Sequence, residues 1–395
     1  MNGRRNRLTW ATMLLGLGLG TGPEALAGQA SGGVDVTIHG SIVLNAFRNS
    51  GKTNNVDVPT VALLPDQNPL GNRSLGAAVR QTRLRIEARH ESVLGGRLFG
   101  ELDVDFFGGQ QPSSGGRTHP LLRLRRAIAE IRWPGGTVLV GQEAPPLFGV
   151  NPVSVASTGF PLFASAGNLW LWLPQIRATG WLTRNRSVRL GVEATLMAPN
   201  AGEPVEPFLT QPDRAEASGR PAIESRVVGR WRVGGREGEA GIGLHRGWLA
   251  APGGRRISSR AFGASVIAPV ARTVEVRGEY FRGQALGGLG GGGIGQTVST
   301  GGAPIRSAGG WVQLVLLPAA SVELGLGAGQ DDPRDDDLSG VTSRTRNRVW
   351  SVSATWRPTP VILGIELRRL ATSFGVPGSV TATNNHLNLS AGIEF

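Results

Sequence analysis

Forty arginines and one lysine, Lys52, supply the cations of this 395-residue chain. Several sit at alternate positions, as in Arg83/Arg85 and Arg123/Arg125. Arg177 and Arg189 stand on polar faces of the same kind. Arg97, Arg226, Arg230, Arg232, Arg277 and Arg368 belong to the same kind of face. A guanidinium presents a planar fork that matches a carboxylate bidentately, and in a narrow wet passage such groups raise the local anion concentration. The same segments carry Glu87, Glu101, Asp103, Asp105, Glu193, Glu224, Glu275 and Glu366, so a self-neutralising ladder of ion pairs is the competing reading. The net charge of +12 leaves a cationic surplus after pairing.

Other chemistry finds little footing. There is no Cys, which removes disulfides, thiolate metal sites and a Cys nucleophile. His39, His90, His119, His245 and His386 lie in no nucleophile motif, and a GxSxG pentapeptide is absent. The glycines of Gly287–Gly295 lack the Lys-Ser/Thr of a phosphate loop and read as a flexible outside loop. Asp331, Asp332, Asp335, Asp336 and Asp337 offer oxygen ligands for Ca²⁺, but a solvated charge run is the simpler reading. No catalytic residue, metal or cofactor is assigned.

The segments that carry these arginines alternate with period two. In the first, Val34, Val36, Ile38, Gly40, Ile42, Leu44 and Ala46 share one face, opposite Asp35, Thr37, His39, Ser41 and Asn45. In Arg97–Phe107, Leu98, Gly100, Leu102, Val104 and Phe106 form the apolar face, with Glu101, Asp103 and Asp105 on the other. The last segment sets Leu387, Leu389, Ala391, Ile393 and Phe395 against His386, Asn388, Ser390 and Glu394. Between the first and last lie fourteen candidates (81–91, 97–107, 121–133, 137–142, 171–182, 187–197, 221–233, 239–249, 256–268, 273–282, 306–317, 321–330, 345–357 and 361–371), which makes sixteen strands. The stretch Leu121–Trp133 changes phase near Arg126, which predicts a bulge.

Connectors alternate short and long. Ser92–Gly96, Pro134–Gly136 and Gly234–Gly238 are short; Asn49–Arg80, Glu143–Trp170 and Gly283–Ile305 are long. Strands of this length with one apolar face suit a transmembrane antiparallel β-barrel with short periplasmic turns and long outside loops. Closure leaves no strand edge unpaired in lipid. Trp133, Trp181, Trp231, Trp248, Trp350 and Trp356 stand near strand ends, as in an aromatic girdle; core packing of a soluble β-protein is the alternative.

The first residues read as an export signal. Arg4, Arg5 and Arg7 precede an apolar stretch, Leu8–Gly20, and a small-x-small site, Ala25-Leu26-Ala27. Cleavage of 1–27 removes three Arg and Glu24, lowering the charge from +12 by two, and leaves residues 28–395 as one barrel domain. Later apolar runs are all broken by charge or glycine, so no membrane helix is expected. An exported chain has little occasion to meet nucleic acid.

The end of the chain, Leu389-Ser390-Ala391-Gly392-Ile393-Glu394-Phe395, resembles the terminal signal of outer-membrane barrels. Val36-Thr37-Ile38-His39-Gly40-Ser41-Ile42-Val43-Leu44-Asn45 is similar to a first porin strand. Arg80-Gln81-Thr82-Arg83-Leu84, Gly100-Glu101-Leu102-Asp103-Val104-Asp105-Phe106-Phe107-Gly108, Leu122-Arg123-Leu124-Arg125-Arg126-Ala127 and Val140-Gly141-Gln142 follow in an order resembling the DcaP-type porins. The resemblance covers roughly residues 34–180 and the last strand. It implies a homotrimeric, sixteen-stranded channel in the Gram-negative outer membrane that passes small, often anionic, solutes. It also implies recognition of Phe395 by the barrel-assembly machinery. A structural or adhesive barrel, or a barrel-borne hydrolase, are the other functions such a chain could serve. Cation-selective porins carry carboxylates in the third outside loop, which enters the lumen. Here residues 144–170 hold no charged residue and are rich in Pro and Phe, a departure that favours anions. The expected lumen-lining set is Arg83, Arg85, Arg123, Arg125, Arg177 and Arg189.

Overall fold

The computed structural model describes residues 26–30, 33–109, 118–183, 187–203, 211–375 and 378–395; most of the expected export signal lies outside them. All strands join one eighteen-stranded antiparallel sheet. Two are short. Leu26–Ala30 pairs with the first half of the next strand, and Ser74–Ala78 pairs with its second half. The other sixteen form the wall: β1 (Val34–Asn49), β2 (Arg83–Val93), β3 (Gly96–Asp105), β4 (Arg123–Trp133), β5 (Gly136–Glu143), β6 (Leu173–Trp181), β7 (Val188–Met197), β8 (Ala222–Val233), β9 (Arg236–Ala251), β10 (Arg255–Ala271), β11 (Val274–Gln284), β12 (Arg306–Ala319), β13 (Val322–Pro333), β14 (Arg344–Trp356), β15 (Val361–Phe374) and β16 (Val380–Glu394).

Each strand pairs with the next, and β16 returns to β1 in a register from His386–Asn49 to Glu394–Ser41. Phe395 extends this seam: its N–H donates to Gly40 O at 3.0 Å and its carbonyl accepts from Gly40 N–H at 2.8 Å. Closure satisfies the backbone groups that lipid cannot. The short turns are tight. Gly234 and Gly235, both at positive φ, make the two-residue link between β8 and β9, a conformation that matches the strand twist and favours glycine.

The period-two pattern sorts the two faces. On β3, Leu102 is 42% exposed on the outside while Asp103 and Asp105 are fully buried inside. The bulge falls on β4: Asp103 opposes Arg126 and Val104 opposes Leu124, leaving Arg125 as the extra residue. Arg123, Arg125 and Arg126 therefore all reach inward, although two are consecutive. One expected girdle residue is misplaced. Trp181 lies in phase with Gln175, Arg177 and Thr179, so it faces the lumen and is buried, whereas Trp350 and Trp356 are exposed outside.

The apolar core lies inside the barrel, where the third outside loop (residues 144–172) packs on the wall. Leu162, Phe163 and Ala166 meet Trp311, Val349 and Leu370. Leu147, Phe148 and Leu169 meet Met197, Ala261 and Phe281, and Val155 meets Val43 and Ile362. Wall glycines provide the clearance. A Cβ on Gly263 would lie 2.6 Å from the Phe148 ring, on Gly327 2.7 Å from the Phe163 ring, on Gly329 2.2 Å from Ala166 O and on Gly364 2.4 Å from the Val155 methyl. The segment around Gly287–Gly295 lies in the long outside connector between β11 and β12, as expected, and packs against the third loop. Gly287, Gly288, Leu289 and Ile294 are buried, and Leu289 O accepts from Leu171 N–H at 3.3 Å. Without side chains the two backbones approach closely: a Cβ on Gly288 would lie 1.9 Å from Asn200 O.

Candidate functional site

A loop that enters the barrel takes its backbone polar groups with it, and each needs a partner there. The wall supplies them around most of its circumference. Gln81 donates to Ala156 O at 2.7 Å and accepts from Thr158 N–H at 2.6 Å. Arg123 donates to Gly159 O at 2.6 Å, and Arg125 donates to Thr158 O. Arg177 donates to Ala144 O. Glu224 accepts from Leu147 N–H at 3.1 Å and Glu279 from Val150 N–H at 3.0 Å. On the far side, Gln313 accepts from Val153 N–H at 2.7 Å, Glu366 accepts from Ser154 Oγ at 2.6 Å, and Arg368 donates to Ser157 Oγ. An uncharged loop is thus held by charged and amide side chains of the barrel.

Between this loop and the wall from β2 to β11 lies a cavity of about 650 Å³. Its wall contributes Arg83, Arg125, Arg126, Arg177, Arg226, Arg230 and Arg277, against Glu143, Glu193 and Glu239. Seven cations face three anions, an excess of four. The loop adds backbone and the neutral side chains of Asn151, Ser154, Ser157 and Thr158.

Most of these arginines are held by carboxylates. Arg83 forks onto Asp103, and Arg123 grips Asp105 through Nε at 3.0 Å and Nη2 at 2.6 Å. Arg125 lies between both, 3.5 Å from Asp103 and 3.1 Å from Asp105. Arg126 joins Glu101 to Glu143. Arg226 bridges Glu193 at 3.2 Å and Glu239 at 2.8 Å, and Arg230 shares Glu239 at 2.6 Å. Arg277 pairs with Glu275. Arg177 differs. Its partners are Ala144 O and Gln175 Oε1, the latter at 2.9 Å from Nη2, and among the described residues it makes no ion pair.

Of the six arginines expected from sequence, Arg83, Arg125 and Arg177 line the cavity. Arg123 stands beside it, bound to the loop. Arg85 sits further along β2 toward the periplasmic turn, with Glu87 at 3.9 Å and Glu101 at 3.8 Å. Arg189 is apart from the rest. Its guanidinium lies 4.2 Å over the Trp181 ring, and it lines the cleft at the β2–β3 and β4–β5 turns. Arg126 was outside the expected set because unbroken alternation turns it to lipid; the phase change was its only sign.

The remaining candidates are structural. His245 is buried with Nδ1 3.0 Å from Glu224 Oε1, and the other oxygen of that carboxylate holds the loop. Three of the five acids are paired, Asp337 with Arg306, Asp336 with Arg334 at 3.0 Å and Asp332 with Arg346 at 3.2 Å, and Asp331 is buried and accepts from Ser307 Oγ and from Ile294 N–H at 2.9 Å. Among the described residues, no group of three or more acids and histidines is placed to hold a metal ion.

A sixteen-stranded barrel closed in this way, narrowed by its third loop, has the fold of the outer-membrane porins. The outer membrane channel DcaP of Acinetobacter baumannii superposes with a TM-score of 0.69 at 16% identity, over 93% of this chain and 99% of that one. An anion-selective porin from Comamonas acidovorans gives 0.56 at 12% identity, over 92% and 100%. Salmonella typhi OmpF gives 0.54 at 10% identity, over 92% and 98%. No protein-family model and no curated protein sequence matches the chain. At these identities the likeness is one of fold.

Proposed function

We propose that the chain is an outer-membrane channel for passive diffusion of small hydrophilic solutes, favouring anions and small carboxylates in particular. The observation that carries this is Arg177, which lines the cavity beside the inserted loop and makes no ion pair among the described residues, whereas the other arginines of the lining are held by carboxylates. A guanidinium whose hydrogen bonds go to neutral oxygens, Ala144 O and Gln175 Oε1, keeps its charge unpaired and attracts anions in a narrow wet passage. The porin fold and an inserted loop without acidic side chains support the same reading. Export through cleavage of residues 1–27, recognition of Phe395 by the assembly machinery and a homotrimeric state are part of the proposal; their support is the leader pattern and the DcaP-type resemblance.

The test is a reversal potential in a planar bilayer under a salt gradient. Anion selectivity is the expected result. Cation selectivity would overturn the assignment of charge, and absence of conductance would favour the structural or adhesive alternative.

A further inference from the structure

Arginines are rare on the outer face of the wall within its apolar band, as lipid demands. One group of them lies where β9, β10 and β11 approach the long loops. Arg246, Arg260 and Arg282 all point outward and are exposed. Arg246 stands directly opposite Arg260 across the β9–β10 pair, and Arg282 opposite Phe262 across β10–β11. Like charges directly opposite in a sheet are destabilising. None of the three makes an ion pair among the described residues; Arg260 reaches only Gln284 Oε1 at 3.3 Å.

The three line a groove of about 450 Å³ on the outer wall, in which no Asp or Glu takes part. One pleat step toward the periplasm the wall becomes apolar, with Leu244 60% and Phe262 43% exposed. One step the other way stands Trp248, with Arg246 at 5.5 Å and Arg220 at 5.3 Å from its ring. Amphipathic aromatics favour the membrane–water boundary. The groove thus has three cations at headgroup height and an acyl-compatible surface beneath them.

We propose that this groove binds the phosphorylated headgroup of an anionic amphiphile in the outer leaflet. The phosphate lies among Arg246, Arg260 and Arg282, and an acyl chain lies along Leu244 and Phe262. Guanidinium forks suit phosphate oxygens, and a bound phosphate removes the repulsion between Arg246 and Arg260. The continuity of charge with lipid-facing apolar surface selects a lipid over a free anion.

The experiment measures lipid retention by the detergent-purified barrel in native mass spectrometry. The probe is a bis-phosphorylated acylated glucosamine disaccharide, with its dephosphorylated form and inorganic phosphate as comparisons. The wild type is expected to hold the phosphorylated lipid at least about tenfold more tightly than the dephosphorylated one, and R246S/R260S/R282S is expected to lose that preference. Equal retention of the two lipids, an unaltered preference in the triple variant, or inorganic phosphate binding as tightly as the lipid would overturn the proposal. So would a change of oligomeric state in the variant with lipid retention intact, which would make the groove a contact between copies. R260Q alone keeps the test available should the triple variant fold poorly. All three residues face away from the lumen, so conductance and reversal potential stay at wild-type values, and this result is independent of the channel reading.

Discussion

Arg125 and Arg126 are consecutive in β4, yet both reach into the lumen, Arg125 to Asp105 at 3.1 Å and Arg126 to Glu101 at 2.5 Å. Successive side chains of an unbroken strand point to opposite faces. The bulge at Arg125 suspends that rule for one residue. It puts Arg123, Arg125 and Arg126 on a single side, facing the carboxylates of β3. The result is a dense local ladder that cancels most of its own charge and uses its remaining hydrogen-bond donors on the loop.

The proposed anion preference is therefore best tested at Arg177. Arg177→Ser should lower the anion-to-cation permeability ratio while the barrel folds normally. A unit charge about 7 Å from the ion path in a water-like dielectric favours an anion and disfavours a cation by about 0.6 kcal/mol each, so the ratio should fall by up to roughly sevenfold in dilute salt. The difference should fade as salt rises, because the Debye length shrinks from about 10 Å at 0.1 M to about 3 Å at 1 M. Reversal potentials at both ionic strengths check this. An unchanged ratio would locate the selectivity elsewhere.

Arg123 and Arg125 call for a different outcome. The pair holds Gly159 O and Thr158 O. Hydrogen bonds from charged donors contribute about 1.5–3 kcal/mol each. The double change to Ser should release that part of the loop and raise single-channel conductance and current noise. It also leaves Asp105 without its guanidinium partners, so anion preference should fall with it. Conductance at or below the wild-type level would show that the loop's other polar and apolar contacts hold it without these two arginines.

The seat of the loop can be tested from the wall. Gly329→Val places a side chain where a Cβ already meets Ala166 O at 2.2 Å. Overpacking of this kind costs about 1–3 kcal/mol. The variant should lose its heat-resistant mobility shift at a lower temperature than the wild type. Gly180→Val, at a position where a Cβ meets nothing within 4 Å, should leave that temperature within experimental error.

Phe395 makes the last two backbone bonds of the closing seam. Its deletion should reduce the folded fraction in the outer membrane and leave a pool of unfolded precursor, measured by heat-modifiability on gels. Phe395→Tyr should retain most assembly. Equal folded levels for the deletion would mean that the seam closes without its final residue.

The strand positions were legible from sequence because one face of each strand meets lipid and the other meets water. Alternation such as Leu102/Asp103/Val104/Asp105 marks a strand with one apolar and one polar face, and its recurrence along the whole chain marks a wall between lipid and water. The bulge was legible for the same reason, as a break in the alternation. Partner identities were not. That Arg83 finds Asp103 while Arg177 finds only Gln175 and a loop carbonyl depends on register between strands and on where the loop lands. Neither is written in the period of a single strand. Trp181 was placed with the lipid-facing aromatics because it stands at a strand end; its phase with Arg177 already assigned it to the lumen. The close packing of Gly287–Gly295 was not legible because glycine marks flexible chain and close backbone approach alike.

The sockets at Gly263, Gly327, Gly329 and Gly364 bear on how this channel can change over generations. Each is fitted to one loop residue: Phe148, Phe163, Ala166 or Val155. A loop transplanted from another barrel would arrive with bulk in the wrong places, and a socket filled by mutation would evict the loop it serves. Loop and wall are therefore expected to vary together across relatives, a substitution on one side permitted only after a matching one on the other. Pore diameter then becomes a heritable property of paired positions, and a chimera that exchanges the loop should regain its native conductance only when the four wall residues travel with it.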